Sequence, residues 1–258
     1  VHCKARILNI APERVEQCLR QKDIVIVAGF QGRTEDHTIT TLGRGGSDLT
    51  AVALAAALDA DLCQIYTDVD GVYTADPRLV SDARKIDRIS HDEMLEMASL
   101  GAKVMQSRSV EFAKKFGVDL EVRSSLNDRP GTIITKETTD MEDVVIRGVS
   151  VDKNEAKVTV TRVPDEPGRA ARLFRLLADA AINVDMIVQN VSEDGNTDIS
   201  FTVNSTDLDK LRNQLEARIR SEVNAAEILC DEGIAKVSVV GIGMRSHAGV
   251  AAQMFKAL

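Results

Sequence analysis

The chain has 258 residues, of which 44% are hydrophobic and 28% charged, and a net charge of −8 at pH 7. That suits a globular protein with ample core, in one large domain or two ordinary ones. The acidic balance excludes the basic footprint of a duplex binder, and 3% aromatic content with no Trp excludes a stacking platform for single strands.

No apolar run approaches bilayer length and no signal peptide is visible, so no membrane partner is expected. Cys3, Cys18, Cys63 and Cys230 are scattered without a C-x-x-C pair. They read as reduced thiols of a cytoplasmic protein. His2, His37, His91 and His247 are dispersed and read as surface or capping residues, so no His or Cys metal site is expected.

In chain order, residues 24–30 (Ile-Val-Ile-Val-Ala-Gly-Phe) form an apolar run closed by glycine, which predicts a buried strand of a parallel sheet. Next comes Leu42-Gly43-Arg44-Gly45-Gly46-Ser47-Asp48, at the mouth of an Ala/Leu-rich helix predicted over 47–60. Three glycines around one arginine let the backbone close on a small anion, and the helix start points free N–H groups to the same place. Arg44 can hold a carboxylate bidentately, and Asp48 can orient a donor or a metal-bound water.

A strand predicted over 62–66 leads into residues 67–78 (Thr-Asp-Val-Asp-Gly-Val-Tyr-Thr-Ala-Asp-Pro-Arg), where three carboxylates beside a strand end suit a magnesium nucleotide. Together the two segments suggest phosphoryl transfer to a small carboxylate-bearing substrate. Ser90-His91-Asp92-Glu93 predicts a capping box and a helix to about Leu100. A further helix is predicted over 103–116, stopped by Gly117, with Met94, Met97 and Met105 as core filler. Strands near 118–123 and 131–135 complete an α/β unit.

From about 143 the pattern changes to period two. Ile182, Val184, Met186 and Val188 share one face, and Ile199, Phe201 and Val203 another. An amphipathic helix with Ala170, Leu173, Phe174 and Leu177 on one side lies between Gly168 and Ala181. The order predicts a ferredoxin-like βαββαβ module. It then restarts: residues 156–160 (Ala-Lys-Val-Thr-Val) return at 235–239 (Ala-Lys-Val-Ser-Val), and the segment at 168–174 returns at 249–255. The second copy stops after one strand and one helix, so the chain is expected to be cut at its C-terminus. Gly43-x-Gly45-x-x-Asp48 and Gly241-x-Gly243-x-x-Ser246 lack the third glycine of a dinucleotide fingerprint, and no Walker motif occurs.

Residues 27–32, 42–48, 67–78 and 101–104 resemble the motifs of the aspartate kinases in the amino-acid kinase family, and the duplicated module resembles a pair of ACT domains. The resemblance implies an amino-acid kinase α/β sandwich (its C-terminal part) over 1–142, an α+β ferredoxin-like ACT domain over 143–231, and the start of a second ACT domain over 232–258. It implies transfer of the ATP γ-phosphate to the β-carboxylate of L-aspartate, giving 4-phospho-L-aspartate, with Mg2+ held largely by ATP. By position, Arg44, Gly45 and Ser47 hold aspartate and Asp48 organises the catalytic centre. Thr67, Asp68, Tyr73, Asp76, Arg78, Lys103 and Val104 line the nucleotide. Asp165, Gly168, Arg169, Ala170, Asn183, Val184, Asp185 and Gln189 contact a feedback effector, lysine or threonine, and the ACT domains build a homo-oligomer. The family's N-terminal Lys-Phe-Gly-Gly strand and an early substrate-binding glutamate are not in this sequence, so this chain alone is expected to be inactive. The alternative is a non-catalytic amino-acid-sensing subunit; a kinase preferring another acid, such as glutamate, is a further one.

Overall fold

The computed structural model describes residues 5–102, 104–136, 146–191, 195–241 and 249–257. Lys103 lies outside the described residues, as do Cys3, His2, His247, Gly243 and Ser246. The chain divides into two compact units, Val1–Ser150 with Ser238–Leu258, and Val151–Val237.

In the first unit, helix α1 (Glu13–Arg20) buries none of its residues. Strands β1 (Gln31–Arg33) and β2 (Ile39–Thr41) form an antiparallel hairpin. Helix α2 (Gly46–Ala57) follows, its Leu49, Val52, Ala53 and Ala55 buried because small aliphatic side chains ring it on most sides. Strand β3 (Cys63–Thr67) comes next, then β4 (Arg88–Ser90), α3 (His91–Ser99), α4 (Ser107–Phe116), β5 (Leu120–Ser124) and β6 (Thr132–Thr135). The sheet runs β3-β5-β6-β4. β3 is parallel to β5 and β4 to β6, while β5 and β6 are antiparallel.

The Ser90 capping box is present, with Glu93 returning to the Ser90 N–H, and Gly117 closes α4 at φ 70°. Met94, Met97 and Met105 are buried in the core with Val52, Ile89, Leu120 and Val122. Helix α4 begins at Ser107, not 103, and α2 ends at Ala57, not 60.

Residues 24–30 are not a buried strand. Ile24 and Ile26 are 95% and 94% exposed. Among the described residues no strand pairs with 24–29, and only the Phe30 carbonyl, accepting from the Leu42 N–H, extends the β1–β2 ladder. His91 also departs from the surface reading. It is buried, and its Nε2 lies 2.9 Å from the Val118 carbonyl oxygen.

Strand β7 (Gly148–Asp152) straddles the boundary between the units. The second unit continues with β8 (Glu155–Pro164), α5 (Arg169–Asp179), β9 (Val184–Val191) and β10 (Asn196–Asn204). Helix α6 (Ser205–Lys210), a π turn (Leu211–Leu215) and helix α7 (Glu216–Val223) lead to β11 (Glu227–Asp231). The antiparallel sheet order is β11-β8-β10-β9, the ferredoxin-like arrangement expected from the alternation. Its inner face holds Val158, Val160, Ile199, Phe201 and Val203 against Leu173, Leu177 and Ile219. On β9 the expected apolar face is half realised. Ile182 is buried and Val184 partly so, but Met186 and Val188 are 50% and 45% exposed. β9 is an edge strand, and the register shift between Val184 and Ile187 inverts its alternation: Ile187 stands opposite Phe201, while Val188 stands opposite Ser200 on the outer face.

Strand β12 (Lys236–Val240) and helix α8 (Val250–Ala257) fall where the sequence repeats the segments at 156–160 and 168–174. β12 pairs with β7.

Candidate active and effector sites

The glycine-rich turn is shaped by what packs on it. Gly43 and Gly45 have φ of 89° and 71°, a region that side-chain-bearing residues rarely adopt. Gly45 is the N-cap of α2, so the turn delivers its backbone to the positive end of that helix. A Cβ on Gly46 would lie 2.9 Å from Leu42 Cβ and 3.2 Å from the Phe30 ring. Phe30 is in turn fixed here: its N–H donates to Thr50 Oγ1 at 3.2 Å, and its carbonyl accepts from Leu42 N–H at 2.9 Å. Thus the 27–32 and 42–48 motifs meet at the start of α2.

Arg44 and Ser47 are exposed there and Asp48 is half-buried. Burial pushes the Asp48 carboxyl above its ordinary value, against hydrogen bonds from the Ser47 side chain and the Gln106 backbone that pull it down. Burial, and then the charge of Asp48, push the Cys63 thiol up. Gln106 and Arg108 were missed by sequence reasoning. Gln106 Nε2 donates to the Arg44 carbonyl at 2.7 Å, and Arg108 Nη1 to the Leu42 carbonyl at 3.1 Å. The only sequence signal was their position just after the 101–104 motif.

The 67–78 segment lies beyond the end of β3. The Thr67 carbonyl accepts from the Ser125 N–H at 2.8 Å and its hydroxyl at 3.1 Å, and the Thr67 hydroxyl donates to Asp68 Oδ1 at 3.2 Å. Asp70 accepts from Asn127 Nδ2 at 2.7 Å and faces Arg129 at 3.6 Å. Asp76 pairs with Arg78 through both the backbone N–H (2.9 Å) and Nε (3.3 Å). Tyr73 is bridged to Lys85. One hydroxyl secures the base of this loop: Thr132 Oγ1 accepts from Val72 N–H at 2.8 Å and donates to the Ile86 carbonyl at 2.5 Å. Val104 is half-buried against the core. Among the described residues no group of three or more His, Cys, Asp or Glu could hold a metal. No described helix is long and apolar enough to cross a membrane.

In the second unit, Asp165, Gly168, Arg169, Ala170 and Gln189 line one cavity of about 450 Å³, with Thr197 and Ile199 on its wall. Gly168 has φ 92° and caps α5, while Arg169 is held by Glu166 at 2.8 Å. Gln189 faces Ile199 across the β9–β10 ladder. Asn183, Val184 and Asp185 do not line this cavity. Asp185 lies four residues from Gln189, about 13 Å along an extended strand. It is engaged by Lys236, whose ammonium also lies 3.6 Å from Glu155.

A glycine-rich turn at a helix start in a mixed sheet, followed by a ferredoxin-like module, defines an amino-acid kinase fold joined to an ACT domain. Residues 3–124 match the amino acid kinase family and residues 157–220 the ACT domain. The chain is 55% identical over 258 residues to the aspartate kinase of Pseudomonas putida, covering 100% of this chain and 62% of that protein. It thus spans about three fifths of the length of the curated relatives it matches. In structure it is similar to Clostridium acetobutylicum aspartate kinase, with a TM-score of 0.82, 26% identity, and coverage of 95% of this chain and 57% of that one. It also resembles E. coli aspartokinase III at 32% identity. The TM-score is 0.76 to the complex with aspartate and ADP (94% and 54% covered) and 0.72 to the complex with lysine and aspartate (95% and 54%). Over its whole length the chain is thus similar to members of the aspartate kinase family.

Proposed function

We propose that the protein of which this chain is part transfers the γ-phosphate of ATP to the β-carboxylate of L-aspartate, and that lysine or threonine regulates it through the ACT domain. The observation that carries this is the convergence of exposed Arg44 and Ser47 with half-buried Asp48 at the glycine-shaped N-terminus of α2. That site offers an anionic amino acid a guanidinium fork, a hydroxyl and helix N–H groups. Asp48, beside Ser47 and the Gln106 N–H, orients the acceptor carboxylate for in-line attack.

Thr67, Asp68, Tyr73, Asp76, Arg78, Lys103 and Val104 are the proposed nucleotide residues. The donor set fits MgATP rather than a resident metal, since isolated carboxylates and hydroxyls at a strand end suit an ion that brings its own phosphate ligands. The bound Mg2+ would neutralise charge developing on the transferring phosphoryl group. Asp165, Gly168, Arg169, Ala170 and Gln189 form one wall of an effector site. Asn183, Val184 and Asp185, at the far end of β9, belong to a different contact surface for an effector or a second ACT domain. Likenesses to aspartate-, ADP- and lysine-bound aspartokinase III support these assignments. A cytoplasmic homo-oligomer assembled through ACT domains completes the proposal.

The test is ADP release by the enzyme that spans the full length of its relatives, with L-aspartate, with L-glutamate, and with aspartate plus lysine or threonine. Aspartate-dependent release suppressed by an end product is the expected result. No release, with lysine or threonine raising the melting temperature, would make the protein a sensing subunit instead.

A further inference from the structure

Gln106 packs against two of the four residues proposed at the acceptor end of the site, yet nothing in the transfer chemistry requires an amide there. Its backbone N–H lies near the Asp48 carboxyl and pulls its pKa down against burial. Its side-chain Nε2 donates to the Arg44 carbonyl at 2.7 Å. Its Cβ, Cγ and Cδ stand where a side chain on Gly45 would be, 2.9 to 3.2 Å from that missing Cβ. Two residues on, Arg108 grips the Leu42 carbonyl from the same segment. The orientation of the amide is determined chemically: a carbonyl can only accept, so the NH2 must face Arg44. The oxygen, Oε1, is buried and has no hydrogen-bond donor, so the NH2 bond alone aligns the group.

A turn with two glycines at positive φ has many conformations open to it. One residue that ties the Arg44 carbonyl and fills the space beside Gly45 removes much of that freedom. We propose that Gln106 is a positioning residue for phosphoryl transfer: it holds the acceptor turn in the geometry that aims Arg44 and Asp48, without touching substrate itself. The inference rests on the phosphoryl-transfer reading above.

The isosteric Gln106→Glu variant tests it, alongside Gln106→Ala, in the full-length enzyme. The ionised carboxylate that Gln106→Glu introduces cannot donate to the Arg44 carbonyl, whereas the protonated acid can. Rates are taken with the acid acceptor that the wild type uses best, so a wild-type preference for glutamate would overturn the substrate assignment without touching this one. At pH 8, kcat/KM for the acceptor should fall between about tenfold and about a hundredfold in Gln106→Glu, the scale of a small misplacement of catalytic groups. The deficit relative to wild type should shrink as the pH is lowered, and KM for ATP should stay within about twofold. Gln106→Ala should show a deficit that is the same at every pH. A Gln106→Glu deficit that does not change with pH, or equal losses for ATP and acceptor, would overturn the proposal, because a general loss of folding gives that pattern. Should Gln106→Ala not fold, the isosteric variant decides the matter by its pH profile.

Discussion

Glu93 and Arg147 form an ion pair at 3.0 Å with 4% and 13% of their side chains exposed. The same carboxylate also receives the Ser90 N–H and hydroxyl, at 3.1 and 2.9 Å. One side chain therefore caps α3 and anchors the segment leading into β7. Glu93→Gln should destabilise the first unit by more than about 1 kcal/mol, because it takes the negative charge out of a buried ion pair. Chemical denaturation of the variant would check this; a loss under about 1 kcal/mol would mean that water replaces the pair.

Asp48 is predicted to trade stability for function. Its folded-state carboxyl holds its proton more tightly than an exposed aspartate, chiefly through burial. The favourable contribution is therefore full below the ordinary value of 3.8 and is lost as the pH rises through the raised folded value. At pH 7 the ionised group is a net cost. Asp48→Asn should melt at a higher temperature than wild type at pH 7, with the advantage shrinking toward pH 4, while turnover is abolished. A lower melting temperature at pH 7 would contradict this.

Arg44 is exposed and its guanidinium has no ion-pair partner among the described residues. Removing it should leave the fold intact. Arg44→Ala should raise KM for aspartate by at least about tenfold, the scale of a lost bidentate charged contact, and leave KM for ATP near its starting value. Equal changes in both constants would remove the acceptor role.

Gln189→Ala should weaken inhibition by lysine or threonine several-fold and leave uninhibited turnover near wild type, because Gln189 lies in a different compact unit from Asp48. An unchanged inhibition curve would take Gln189 out of the effector site.

Lys236 tests the other end of β9. Burial pulls its ammonium down, but the hydrogen bond and charge of Asp185, with Glu155 and Asp152, outweigh that and raise it overall. Its stabilisation is present below the ordinary value of 10.5 and is lost as the pH climbs through the raised one. Lys236→Met should destabilise the second unit by about 3 kcal/mol at neutral pH, because Glu155 is left buried with an oxygen that already lacks a partner. Asp185→Asn should cost less, since Asp185 is half-exposed. Denaturant titration of both variants would check the order; equal losses would contradict it.

The ferredoxin-like module is legible in the sequence because Ile199, Phe201 and Val203 alternate strictly and all reach the core. The Ser90 box is legible because Ser90 and Glu93 sit close together in the chain. Residues 24–30 mislead because apolar character shows a strand's taste for burial but not whether a neighbour exists to pair with it. Gln106 is invisible for a related reason. Its partners at 44 and 45 lie far back in the chain, and a hydrogen bond to a backbone carbonyl leaves no mark on the partner's side-chain identity. The division of β9 between Gln189 and Asp185 needs the strand's length in space, which a motif read as a cluster does not carry.

The Thr132 hydroxyl joins Val72 to Ile86, and Thr74 pairs with Arg84 just inside that knot: its N–H donates to the Arg84 carbonyl at 2.9 Å, and its hydroxyl accepts from the Arg84 N–H at 3.1 Å. The stretch from 75 to 83 therefore hangs from a closed neck. Insertions or exchanges there leave the bonds of the neck in place. The neck itself has no such freedom. Thr132→Val would keep the shape and break the tie between Val72 and Ile86.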